Sequence, residues 1–196
     1  MSSERIDTRQ HILACGQQLV AGKGFVGVGL SEILASASVP KGSFYHYFAS
    51  KELFGIALLE TYFETYLLNL DALLGRTDLT AAQRLMAYFQ RWIDTQTGDE
   101  AVRKCLIVKL GAEISDLSEA MRSTMLQGTE RIMQRIADCI AAGQADGSIQ
   151  NAQSPVACAQ WLYGAWLGAS LISKLRRDGS ALDAALQTTR QVLMLT

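Results

Sequence analysis

Two clusters in this 196-residue chain bring together residue types that do chemistry. In the first, Lys104 adjoins Cys105, Arg103 precedes it, and Lys109 lies one helical turn further on along the same face. A cysteine near the start of a helix also meets unpaired backbone amides. Amides and cations together favour the thiolate, the form that attacks electrophiles and oxidants. The same residues also fit a small core hydrophobe beside Leu106 and Val108, and the local sequence leaves both readings open. The second cluster runs from Lys41 to Phe48 and holds Gly42, Ser43, Phe44, Tyr45, His46 and Tyr47. Lysine reaches guanine edges and phosphate, hydroxyls donate to phosphate, and glycine lets a backbone approach closely. Phe44 and Phe48, four apart, share one helical face and are the expected core pair, which leaves Lys41, Tyr45 and His46 outside.

Other chemistries lack their residues. Both histidines, His11 and His46, fall near the N-terminus, so no base accompanies Cys105 and the chain is not expected to be an enzyme. Cys15, Cys105, Cys139 and Cys158 show neither CxxC nor Cys/His ligand spacing, so no metal and no cofactor are expected and the thiols should be reduced. Cys15, Cys139 and Cys158 have no cationic neighbourhood and read as core thiols. With 18 Lys and Arg against 19 Asp and Glu, any nucleic-acid contact must use a local patch rather than a global basic field. A 49% hydrophobic composition supports a real core, which excludes disorder, and two prolines argue for helix. No stretch approaches about 18 uncharged apolar residues. The N-terminus lacks a signal-peptide run, so a cytoplasmic protein without membrane contact is expected.

The elements that must position these clusters are all helical, and the pattern predicts an all-α fold of about nine helices. Ile6 to Lys23, with Asp7 or Thr8 as cap, is the first. Leu30 to Ala37 and Lys41 to Phe48 are two short ones, separated where Pro40 forces Val39 into extended geometry and opens the next helix. Ser50 caps a long amphipathic helix, Lys51 to Leu74, which connects the two halves of the chain. Leu79 to Thr97, Ala101 to about Ile114, and Leu117 to Ala145 follow, the last with Asp116 and Glu119 as a capping box and Gly147 as its stop. Pro155 to about Arg177 and Ala181 to Leu193 complete the set. Two short helices joined by a three- or four-residue turn make a helix-turn-helix, whose second helix enters the major groove. The expected boundary falls within Lys51 to Leu74, with a DNA-binding domain over 6–66 and the longer helices, which can enclose a pocket, over 67–196.

At these residues the chain resembles a known family. Gly24 and Phe25 followed by LSEILASASVPKGSFYHYFASKELF are similar to the DNA-binding signature of the TetR family of bacterial transcriptional regulators, and the helix count agrees. The resemblance implies a homodimer on double-stranded operator DNA, with an N-terminal three-helix reader and a C-terminal effector domain, usually a repressor released by its ligand. It places Pro40, Lys41, Gly42, Ser43, Tyr45 and His46 on the recognition helix, with Tyr47 and Lys51 as backbone contacts and Ser31 completing the DNA-binding set. Two departures are Gly29 where the family often has a capping Thr or Ser, and Ser38 in place of the turn glycine, which must then accept a harder turn geometry.

The segments CLIVKLGAEISDLSEAMR and WLGASLISKL resemble the N-ethylmaleimide-responsive repressors of that family, which sense reactive electrophiles. That resemblance makes Cys105 the sensor and implicates Lys174 with it. A sulfur to nitrogen link after oxidation would tie the two together. Lys109 and Trp166 complete the expected effector-sensing set, and the partner would be a small electrophilic inducer, or a non-covalent one in the rival reading. The helix from Pro155 is apolar over too broad an arc for one core face, and Gly164 and Gly168 allow another helix to come close. Together with the last helix, Ala181 to Leu193, this resembles the two helices that each subunit gives to a four-helix dimer interface in the family, which would place Trp161, Gly164, Ala165, Gly168 and Leu186 there; a buried central helix in a monomer is the alternative.

Overall fold

The computed structural model describes residues 2–97 and 105–195, with residues 2–7 and Thr97 described by their backbone alone. Among the described residues there are nine α-helices and no strand. They are α1 (Ser2–Lys23), α2 (Leu30–Ala37), α3 (Lys41–Tyr47), α4 (Lys51–Leu74), α5 (Ala81–Thr97), α6 (Leu106–Leu117), α7 (Glu119–Asp146), α8 (Pro155–Arg176) and α9 (Ser180–Val192). No helix among them is long and apolar enough to cross a membrane.

Helix order follows the sequence pattern, and several ends are set by caps that the pattern did not foretell. Because α1 runs back to Ser2, neither Asp7 nor Thr8 caps it. α5 begins at Ala81 rather than Leu79 because Thr80 and Gln83 form a reciprocal capping box. The Gln83 N–H donates to Thr80 Oγ1 at 3.3 Å and the Thr80 N–H to Gln83 Oε1 at 3.0 Å. The break expected at Asp116 falls at Ser118, whose Oγ accepts the Met121 N–H at 3.2 Å. The expected start at Ala101 lies outside the described residues, and the described part of α6 opens at Leu106 with Cys105 as its N-cap. Ser50 caps α4 as expected, taking the Leu53 N–H at 3.0 Å. Gly147, at φ 78°, stops α7.

The helices form two compact units. One comprises Met1–Phe63 with Glu100–Leu126, hence α1 to α3, the first half of α4, α6 and the start of α7. Its core holds Ile12, Val20, Ile33, Phe44, Phe54, Leu58, Leu106, Leu110 and Ile114, all at most 2% exposed. Close approach fixes the packing: a Cβ on Gly16 would lie 2.3 Å from Phe54, and one on Gly55 would meet Met121 and Phe25 at 2.6 and 2.7 Å. The other unit comprises Glu64–Asp99 with Gln127–Thr196. At its centre Trp166 stacks on Phe89 with centroids 4.5 Å apart and donates its indole N–H to Thr189 Oγ1 at 2.9 Å. Trp92 does the same to Ser170 Oγ at 2.9 Å. Both indoles thus bury large apolar area without stranding a polar group.

Candidate nucleic-acid interface and thiol site

The turn between α2 and α3 is built as the sequence demands. Gly29 caps α2 from extended backbone with no side-chain bond, and Ser38 takes the left-handed conformation at φ 54° and ψ 39°. Its N–H returns to Ala35 O and the Val39 N–H to Leu34 O, which closes α2. Pro40, extended at φ −70°, then starts α3. Seven residues cannot hold a helix by themselves, and the aromatic residues supply the anchor. Phe44 is fully buried and Phe48 nearly so, with Phe44 centroids 5.3 Å from Phe48 and 5.5 Å from Phe54, as the i, i+4 spacing predicts.

Anchored in this way, α3 turns its polar face outward. Pro40, Lys41, Gly42, Tyr45 and His46 are exposed, Ser43 and Tyr47 are half-buried, and Ser31 on α2 is exposed. The Lys41 ammonium lies 5.8 Å from the Tyr45 ring, and His46 meets Tyr47 edge-on at 4.9 Å. A Cβ on Gly42 would touch nothing within 4 Å, so no internal contact calls for glycine there. Lys51 departs from expectation. Its Nζ donates to the Phe25 carbonyl at 2.8 Å and lies 4.6 Å from the Phe25 ring, so the charge is turned into the unit. Burial lowers its pKa, against an opposing pull from the Glu113 carboxylate.

Cys105 is half-buried and stands at the head of α6, where Tyr62 points its hydroxyl at the sulfur from 3.9 Å and the Ile107 and Val108 amides also donate to it. These three donors favour the thiolate, but burial outweighs them and raises the pKa. Of the two readings that the local sequence left open, burial thus works against the thiolate that the amides and cations favour. Arg103 and Lys104 lie outside the described residues. Lys109 does share the Cys105 face by spacing, but its ammonium is committed elsewhere, to the Gly22 carbonyl at the end of α1 at 3.0 Å. Trp166, expected in the sensing set, has no exposed surface and serves the core described above. Lys174 is exposed on the last turn of α8.

Cys139 and Cys158 are buried as expected, whereas Cys15 is half-exposed, its sulfur 3.6 Å from the Ser36 carbonyl and 3.8 Å from His11 Nε2. Two residues that the sequence reading missed complete the thiol's unit. Tyr62 is one. The other is Glu113, which accepts the Phe25 N–H at 3.2 Å and the Val26 N–H at 2.5 Å. Glu113 follows Lys109 and Cys105 at i+4 spacing, and that shared stripe was the available signal. On α8, Trp161, Gly164, Ala165 and Gly168 are exposed, Trp161 by 52%, while Leu186 on α9 is half-buried. A Cβ on Gly164 or Gly168 would touch nothing within 4 Å.

A short aromatic-anchored helix with a polar outer face, preceded by a braced helix and a tight turn, defines a helix-turn-helix DNA-binding regulator. Comparison with known proteins narrows this. Residues 12–54 match the family described as bacterial regulatory proteins, tetR family, and residues 81–189 match the tetracyclin repressor-like C-terminal domain. The chain belongs to the TetR family of bacterial transcriptional repressors, whose members bind operator DNA and form dimers. It is 41% identical to the HTH-type transcriptional repressor NemR of Escherichia coli (strain K12) over 95% of this chain and 94% of that one. It is 34% identical to the HTH-type transcriptional repressor DhaR of Mycobacterium sp. (strain GP1), over 97% and 94%. The crystal structure of reduced E. coli NemR superposes with a TM-score of 0.91 at 42% identity, covering 95% of this chain and 97% of that one.

Proposed function

We propose that this repressor lets go of its operator when a reactive electrophile or oxidant modifies Cys105. What supports the reading is the sulfur's position at the head of α6, inside the same compact unit as the helix-turn-helix and facing three donors that stabilise its ionised form. At rest the thiol is neutral and shielded. In its ionised fraction the sulfur adds to the electrophilic carbon of a maleimide, quinone or enal, and the carbanion so formed takes a proton from water. Nothing leaves, and the adduct must find room at a half-buried position beside buried Leu106 and Ile107. Packing at crystal-like density cannot absorb it without displacing α6.

In the unmodified state Pro40, Lys41, Gly42, Ser43, Tyr45, His46 and Tyr47 read and grip the major groove, with Ser31 on the backbone. Trp161, Gly164, Ala165, Gly168 and Leu186 join two copies, so that two recognition helices meet half-sites roughly 34 Å apart. The likeness to NemR, a repressor solved in a form described as reduced, agrees with redox or electrophile control. The deciding experiment is release of operator DNA by N-ethylmaleimide, followed by fluorescence anisotropy, for wild type and Cys105→Ser. The wild type should release and the variant should hold. Equal release by both would refute Cys105 as the sensor, and release of neither would favour a reversibly bound inducer.

A further inference from the structure

We propose that Glu113 is the positioning residue through which α6 holds the loop ahead of the helix-turn-helix, so that the sensor helix sets the DNA-reading helices. The inference rests on the reading of Cys105 as sensor. Gly24, at φ 83°, turns the chain out of α1, and the amides of Phe25 and Val26 then face the two oxygens of one carboxylate, at 3.2 and 2.5 Å. Charge-assisted bonds of this kind are about twice as strong as neutral ones. Lys51 holds the other side of the same peptide, donating to the Phe25 carbonyl at 2.8 Å, and the Phe25 ring is 4% exposed. Phe25 is thus clamped at its N–H by α6, at its C=O by α4 and at its ring by the core. Four residues later Gly29 caps α2.

The rest of α6 is arranged to transmit. Cys105, Lys109 and Glu113 follow one another at i, i+4 and i+8, and a rise of 1.5 Å per residue puts Glu113 about 12 Å from Cys105 along the axis. Lys109 adds a bond to Gly22 O, and buried Leu106, Leu110 and Ile114 key the helix into the core. A carboxylate that accepts two successive amides cannot slide without losing one of them. The loop comes close at this point too: a Cβ on Gly24 would lie 2.8 Å from Glu113 Oε2, so a side chain there would press on the carboxylate. Displacing the first turn of α6 therefore either drags Phe25 and Val26 or breaks their bonds, and in both cases α2 and α3 lose their setting.

The test uses the full-length chain and a duplex selected from a random pool by unmodified wild type, with anisotropy read before and after N-ethylmaleimide. Glu113→Gln keeps the shape but loses one acceptor and the charge. We expect it to bind about tenfold more weakly than wild type before treatment, within the usual range of allosteric coupling, and to change little on treatment. Its Cys105 should label at the wild-type rate. Gly24→Ala attacks the same contact from the loop side, so it should give the same signature and covers a failure of Glu113→Gln to fold. Wild-type affinity in the folded variants, or weaker affinity with the full fold-release retained, would overturn the proposal by making Glu113 merely structural. If wild type were not released at all, or Cys105→Ser were released equally, the sensor reading would fall. The untreated affinity of Glu113→Gln would then decide the latch on its own.

Discussion

The rate at which Cys105 takes up an electrophile should climb steeply with pH and depend on Tyr62. Burial raises this thiol above its ordinary pKa, so with an unperturbed value of about 8.5 the thiolate is under about 3% of the population at pH 7. Each added pH unit multiplies that fraction about tenfold until the pKa is reached, so labelling should quicken about a hundredfold between pH 6 and pH 8. The Tyr62 hydroxyl stands 3.9 Å from the sulfur, long even for sulfur, so its bond to the thiolate falls below the usual range for a charged acceptor, at about 1 kcal/mol. Tyr62→Phe should accordingly slow labelling about fivefold at neutral pH. The assay is a time course with N-ethylmaleimide read by site-resolved mass spectrometry, which separates Cys105 from the half-exposed Cys15. A rate that levels off below pH 8 would mean that the donors outweigh burial, and unaltered labelling of Tyr62→Phe would remove that hydroxyl from the site.

Two further outcomes test the frame around these sites. Phe44→Ala empties a fully buried ring position shared with Phe48 and Phe54 and should cost about 3–5 kcal/mol, seen as a lower urea midpoint together with loss of operator binding; a loss under about 1 kcal/mol would contradict the anchoring of α3. Cys139 is pushed up to about 11 by burial, while the unfolded thiol titrates near 8.5. Its stabilising effect is therefore whole below about pH 8.5 and is lost as pH rises toward 11, by up to about 1.4 kcal/mol per unit. Unfolding titrations at pH 8 and pH 10 should show a smaller drop for Cys139→Ala than for wild type.

The helix-turn-helix was legible because its signals are local. Pro40 fixes one helix start, Ser38 must turn where glycine would be easier, and the Phe44 and Phe48 spacing selects the buried face. Each of these depends on residues within a few positions. Cys105 misled for the opposite reason. Its adjacent cations are a sequence fact, but its pKa is raised above all by burial, a tertiary quantity, against the opposing pull of the Val108 and Ile107 amides and of Tyr62, 43 residues away. Lys51 misled likewise: the Phe25 carbonyl that accepts its hydrogen bond is 26 residues upstream. Glu113 drew no reading from the sequence, because the amides it serves become orphans only once Gly24 has turned the chain. Helix ends were read to within a few residues and missed where a side chain reached back to cap, as at Thr80 and Ser118.

Glycines that nothing inside the chain requires say most about what lies outside it. At Gly16 and Gly55 a side chain would collide with Phe54 or with Phe25 and Met121, so those positions are explained by internal packing. Gly164 and Gly168, in the middle of α8, have open space where a Cβ would stand. A helix-interior glycine is about 1 kcal/mol worse than alanine, so an isolated chain would be more stable with alanine at both. Their neighbours on that face are Trp161, Leu171 and Leu175, each about half exposed or more, an apolar stripe that water disfavours. A second helix laid close along the stripe would relieve both the loss in helix stability and the exposed apolar side chains. Gly42 makes the same argument for α3, where the polar neighbours Lys41 and His46 select a charged, hydrated partner instead. Substituting alanine at Gly164 and Gly168 together should therefore raise the helix content of the dissociated chain while weakening its self-association. A gain in both would mean that no helix comes close there.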